Sequence, residues 1–196
     1  MAFVGMQHVV AAKITAKPDN AMPTYGAGMV IGKAIQAELT ITRNSNPLYA
    51  DDVVAEDDNS ITAMSVSVGM DDFSEEAQAY LGLLKEVTGT GDDKTYYETS
   101  GSADSAGLGY MRVRRKNGVT TYQGVWVLDV LFGVESETSA TKGESIEWQT
   151  PTVNGQAAAH MITSIDPTNP IFRMKKNFTT AAACIAWLDE QAGIST

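Results

Sequence analysis

The segment Arg114-Arg115-Lys116-Asn117-Gly118-Val119-Thr120 decides the fold class. Asn-Gly takes the positive φ angles of a type I′ turn with little strain, and that turn closes a two-residue hairpin whose twist suits the flanking strands. Strands are therefore predicted at about 108–116 and 119–132. The register follows from the turn: Lys116 opposes Val119, Arg114 opposes Thr121, Arg112 opposes Gln123 and Tyr110 opposes Val125. Alternation then puts Met111, Val113, Tyr122, Trp126, Leu128 and Val130 on the opposite, core-facing side. The first side is mixed, basic and polar near the turn but carrying Val125, Val127 and Leu131 around Asp129 farther along. Two apolar faces call for two covering surfaces, supplied by this chain or by another.

Moving outward, period-two alternation recurs in Ala37-Glu38-Leu39-Thr40-Ile41-Thr42 and in Thr62-Ala63-Met64-Ser65-Val66-Ser67-Val68. Between them, residues 43–60 show little periodicity, are rich in Asn and Asp and contain Pro47, which suggests a projecting arm. A Gly- and Ser-rich stretch at about 88–107, interrupted by Tyr96-Tyr97, suggests a long loop without regular structure. Helical spacing appears twice. Asp72 with Glu75 resembles a capping box ahead of the stripe Phe73, Ala77, Leu81 and Leu84. Thr179 or Thr180 would cap a C-terminal helix with the stripe Ala181, Cys184, Ile185 and Leu188, stopped at Gly193. The expectation is one mainly β domain over 1–196: a β-sandwich of antiparallel strands with a flanking α-helix and a short C-terminal helix.

Composition narrows the function. Fourteen Lys and Arg against 24 Asp and Glu leave a formal charge of -10, which repels nucleic acid and anionic membranes. A single cysteine, Cys184, cannot form an intrachain disulfide and sits at a core position of its helix, so folding in a reducing cytoplasm is expected. The opening residues lack the basic and apolar stretches of a signal peptide, and no apolar run is long enough for a membrane helix.

Catalytic signatures were sought in the same way. His8 and His160 have no nucleophile motif near them, and Gly89-Thr90-Gly91 lacks the Lys and Ser or Thr of a phosphate loop. The acidic run Asp51, Asp52, Glu56, Asp57 and Asp58 lacks the ligand spacing and central glycine of an EF-hand. The basic group Arg112, Arg114, Arg115 and Lys116 lacks the interleaved aromatics of a single-strand binder. No catalytic residue, cofactor or metal is expected. Each group reads as a solvated loop or hairpin tip, or the two pair within one chain, or, since opposed charges on neighbouring copies would steer association, they are the candidate subunit interface.

Several segments together resemble the major tail proteins of long, non-contractile-tailed bacteriophages. They are Val4-Gly5-Met6-Gln7-His8-Val9-Val10-Ala11-Ala12-Lys13-Ile14-Thr15, Tyr25-Gly26, Ala34 to Leu39, Leu48-Tyr49-Ala50-Asp51-Asp52 after Asn44-Ser45-Asn46-Pro47, and Lys142 to Thr152 with Gly155. The resemblance runs in order from residue 3 to about 156; residues 88–107 and the chain after Ala157 depart from it. It adds Leu48 and Tyr49 to the candidate interface. It implies a tail-tube β-sandwich assembling into stacked hexameric rings, a virion conduit for DNA ejection built in the host cytoplasm. Its partners would be further copies of itself, a tape-measure protein and tail-tip or terminator proteins, with DNA passing through the lumen without tight binding. The alternatives are a head decoration or tail-completion protein, and a small ligand-binding β-sandwich such as a carbohydrate module.

Overall fold

The computed structural model describes residues 2–45, 48–50, 53–56, 58–88, 94–133 and 150–195. In chain order the strands and helices are β1 (Ala2–Ala16), β2 (Thr24–Tyr25), β3 (Met29–Gly32), β4 (Ala34–Arg43), β5 (Leu48–Ala50), β6 (Val53–Glu56), β7 (Ile61–Met70), α1 (Glu75–Tyr80), β8 (Leu84–Thr88), β9 (Lys94–Glu98), β10 (Ser105–Lys116), β11 (Val119–Phe132), β12 (Thr152–Ala157), β13 (His160–Ile162), β14 (Asp166–Ile171), β15 (Arg173–Phe178) and α2 (Ala181–Ala192). The fold is mainly β, dominated by one large antiparallel sheet with a short C-terminal helix, as the alternation predicts.

The Asn-Gly hairpin organises this sheet. Asn117 and Gly118 have φ of 50° and 79°, and all four predicted residue pairs of β10 and β11 are present. Around the hairpin the strand order is β2-β1-β10-β11-β12-β7-β4. The two ends of that row are joined by chain continuity: β3 pairs with β1, β4 pairs with β7, and only Lys33 separates β3 from β4. The sheet thus rolls on itself, and the two facing layers expected of a sandwich come from a single sheet.

Its interior is apolar. Val9, Ile31, Val66, Val68, Leu108, Tyr110, Val125, Val127 and Val153 meet there, and Phe73, Ala77 and Leu81 from the α1 segment close one end. The outer face of the β1–β10–β11 wall is apolar too, and α2 covers it by laying Cys184, Leu188 and Ala192 on Val10, Met111, Trp126 and Leu128. The second covering surface demanded by the sequence therefore comes from the same chain. Thr180 caps α2 by accepting from the Ala183 amide, and Gly193 ends it at φ 66°.

Three local expectations are corrected. Val130 lies inside with Val125 and Val127, not outside with Met111, because Leu128 and Asp129 together oppose the single residue Gly107; this bulge reverses the alternation and leaves Leu131 46% exposed. The cap of α1 is Ser74, not Asp72, and accepts from the Ala77 amide. Burial of Phe73 in the core holds the chain extended up to Ser74, so the helix starts later than the Asp72–Glu75 spacing suggests, and Leu84 opens β8 after a turn at Gly82 (φ 76°). The 88–107 stretch contains β9, paired with β8, and the start of β10. The 43–60 arm contains the antiparallel pair β5–β6.

Candidate assembly surfaces

Beyond the rolled part, the β10–β11 hairpin continues as a wing, and β15 pairs along the free edge of β11 from Tyr122↔Phe178 to Val127↔Arg173. This register aligns Arg112 with Gln123 and Asn177, Tyr110 with Val125 and Lys175, and Leu108 with Val127 and Arg173. Alternation along the strands then places Arg112, Arg114, Lys116, Arg173 and Lys175 on one face. Arg115 and Lys176 lie on the other, with Lys176 Nζ 5.5 Å from the Phe178 ring centre. Half of the fourteen Lys and Arg residues are in these two strands.

The cations of the wing are ordered by neutral groups. Arg114 Nη2 donates to Gln123 Oε1 (2.9 Å) and Nη1 to Asn177 Oδ1 (3.1 Å), while Gln123 Nε2 donates to the same Asn177 oxygen (3.0 Å). The Arg112 and Arg114 guanidinium groups stand 4.9 and 5.0 Å from the ring centre of Phe3, whose side is half exposed. Arg114 Nε is buried with no acceptor among the described residues. Burial and the nearby charges of Arg173, Arg112 and Arg114 hold the Lys175 ammonium below the usual lysine range. Among the described residues, no carboxylate forms an ion pair with any of the seven; the lysine pairs use Lys13, Lys17, Lys33 and Lys94.

Of the acidic half of the predicted interface, Leu48, Tyr49 and Glu56 lie on the β5–β6 hairpin, while Asp51, Asp52 and Asp57 fall outside the described residues. Asp58 is used locally: it accepts from Asn44 Nδ2 (2.8 Å) and from the Ser60 amide (3.0 Å), which hold its carboxyl below the ordinary aspartate value. Strand β12 is antiparallel to both β11 and β7, so β7 and β11 run the same way. The β5–β6 arm precedes β7 and the Asn-Gly turn precedes β11, so arm and basic wing leave the rolled sheet at the same end. Within one chain no ion pair joins the two groups among the described residues.

The other end carries Asp71, Asp72, Glu75 and Glu76 around α1, and Asp104 immediately before β10. Asp104 Oδ2 meets Lys13 Nζ at 2.8 Å, and Lys13 lies over the Tyr80 ring. A cleft of about 510 Å³ opens here between α1 and the β8–β9 pair, lined by Lys13, Glu76, Tyr80, Lys85, Glu86 and Asp104.

The two histidines act as ties. His8 has φ 56° at a bulge where it and Val9 oppose Tyr110, and its Nε2 lies 2.7 Å from the buried Asp189 Oδ1 on α2. His160 Nε2 lies 2.8 Å from Asp129 Oδ2, which also receives Lys17 Nζ at 2.6 Å. Among the described residues neither imidazole is hydrogen-bonded to a Ser, Thr or Cys, and burial pushes the Cys184 thiol up to about 11, away from thiolate chemistry. Among the described residues, no group of three or more His, Cys, Asp or Glu is placed to hold a metal, and no helix is long and apolar enough to cross a membrane.

Sequence reasoning found the hairpin cations but missed Arg173, Lys175 and Lys176. Their alternation with Met174 and Phe178 was visible; the adjacency of β15 to β11, across 46 or more residues, was not. No protein-family model and no curated protein matches this chain.

Proposed function

We propose that this chain is a self-assembling structural protein, the tube subunit of a long, non-contractile phage tail. The observation that carries the reading is the basic wing. A hairpin projects beyond a core already closed by the chain's own α2, and its cations meet no carboxylate among the described residues. A surface so placed serves contacts with other molecules better than it serves stability, since isolated surface charges contribute little to folding. The ordered sequence segments described above point the same way, and they suggest stacked hexameric rings around a tape-measure protein, located in the virion tail. In this reading the side-by-side exit of arm and wing suits a joint between neighbours in one ring: Arg112, Arg114, Arg115 and Lys116 of one subunit beside the acidic arm of the next. DNA passes without being gripped, because a chain of charge -10 neutralises few phosphates.

Negative-stain microscopy of the concentrated protein tests the reading. Straight tubes with an axial hole are the expected result. A protein that stays monomeric at every salt concentration and binds a small ligand in the Lys13–Tyr80 cleft would overturn it.

A further inference from the structure

The charges are segregated along the length of the molecule. Strand β10 begins at Ser105, beside Asp104 and the end of the α1 segment, and finishes at Lys116 in the basic wing. Its length separates the two ends by up to about 36 Å at the usual rise per residue. The wing holds seven of the fourteen cations, so the remainder of the chain sets seven cations against 24 carboxylates. Asp72, Glu75 and Glu76, at the far end, are exposed and form no ion pair with a described residue. The two ends are thus complementary to each other, and one molecule cannot satisfy both.

We infer that the face bearing Arg112, Arg114, Lys116, Arg173 and Lys175 docks on the acidic α1 end of a second copy, head to tail. This deepens the tube reading and rests on it for its axial meaning, since a head-to-tail contact repeats without closing and builds a filament. It is a different contact from the arm-to-wing joint around a ring: that joint brings together two features of the same end, this one brings together opposite ends, and it takes Arg112, Arg114 and Lys116, which leaves Arg115, on the opposite face of β10, to the arm. Charge complementarity argues for a second copy as the occupant, because the chain itself presents Asp72, Glu75 and Glu76, exposed and without an ion pair among the described residues, and its net charge of -10 opposes the approach of a polyanion. Phe3, held under Arg112 and Arg114, gives the face an apolar centre. Lys175 is held down by partial burial and then by the like charges of Arg173, Arg112 and Arg114, and arriving carboxylates offset the second of these.

The test uses two reversed variants of the full chain: Lys116→Glu with Lys175→Glu on the wing, and Asp72→Lys with Glu76→Lys at the α1 end. All four positions are exposed, and thermal unfolding of each variant confirms that it folds. Each variant alone should associate at least about tenfold more slowly than the parent, by light scattering and by sedimentation at low salt. An equal mixture should restore association, because each variant now carries the end its partner needs. About 1 M salt, where the screening length is about 3 Å, should weaken association of the parent and of the mixture alike. Unimpaired association of either variant alone, or a mixture no better than its components, would overturn the docking. So would a wing variant that assembles normally but loses binding to labelled duplex DNA, which would assign the face to nucleic acid. Restored filaments without an axial hole would keep the docking and sink the tube; normal tubes from both variants would do the reverse.

Discussion

The two halves of the β10–β11 hairpin are built from the same pair of strands, in one register from the turn as far as Leu108, yet they behave as different materials. From Ala106 to Met111 and from Gly124 to Val130 every residue is buried, with an apolar interior on one side and α2 on the other. From Arg112 to Lys116 and from Val119 to Tyr122 no residue is fully buried, and polar side chains are held by one another. Regular pairing is common to both, so pairing does not set their roles. What differs is whether a second layer exists to remove side chains from water, and this divides the hairpin into a half that stabilises the fold and a half that keeps its side chains in contact with solvent.

Substitutions in each half should separate these roles. Trp126→Ala removes the largest fully buried side chain, which packs edge-on against Tyr25 at 5.2 Å, and should lower stability by about 3–5 kcal/mol in urea unfolding. Gly124→Leu, still in the buried half, should cost about 1–3 kcal/mol, since even a Cβ would stand 2.5 Å from Trp187 Cζ3 in the layer between α2 and the sheet. A wild-type midpoint in either variant would mean that the covered half is looser than its packing indicates. At the exposed tip, Gly118→Ala meets no atom within 4 Å, so only the φ of 79° is strained and the loss should be about 1 kcal/mol.

The smallest effect should have the opposite sign. Lys175→Met removes a cation held below its ordinary pKa by burial and by Arg173, Arg112 and Arg114, so it should raise stability at neutral pH by no more than about 0.5 kcal/mol. The folded chain releases the Lys175 proton before the unfolded chain does. Stability of the parent should therefore rise as pH climbs from the depressed folded value towards the usual lysine value, and the Met variant should lose that rise. A Lys175→Met variant less stable than the parent would show that the wing is held together by its charges and is not strained by them.

The sequence was most legible where local chemistry dictates geometry. Asn117-Gly118 specified a turn, the turn specified a register, and the register held over all four predicted pairs. Thr180 and Gly193 bounded α2 for the same reason, since a cap and a left-handed stop act within a few residues. Prediction failed where a distant partner decides. The reversal at Val130 depends on Gly107 opposing two residues, and the late start of α1 depends on burial of Phe73; β9 is the exception, since its partner β8 is a near neighbour in the chain. The candidate surface divides along the same line: its β10 cations form one run in sequence, whereas Arg173 and Lys175 join them only through the pairing of β15 with β11.

The pairing of β1 with β10 bears on how the protein comes to fold. Ala2 is matched with Arg115 and Lys13 with Ala106, so the first strand has its main partner about a hundred residues away. Closing so long a loop comes before most of the contacts that reward it, which places this chain among slow folders dominated by non-local contacts. On the ribosome β1 can pair early with β2 and β3, but its longer edge has no partner until β10 has emerged. Local hairpins such as β8–β9 can form in the meantime, and the long pairing of β1 with β10 is made only afterwards. A nascent chain in this state is exposed to premature pairing with its neighbours, and under the proposed tube reading the pairing of β1 with β10 would complete the monomer before its two ends are presented together.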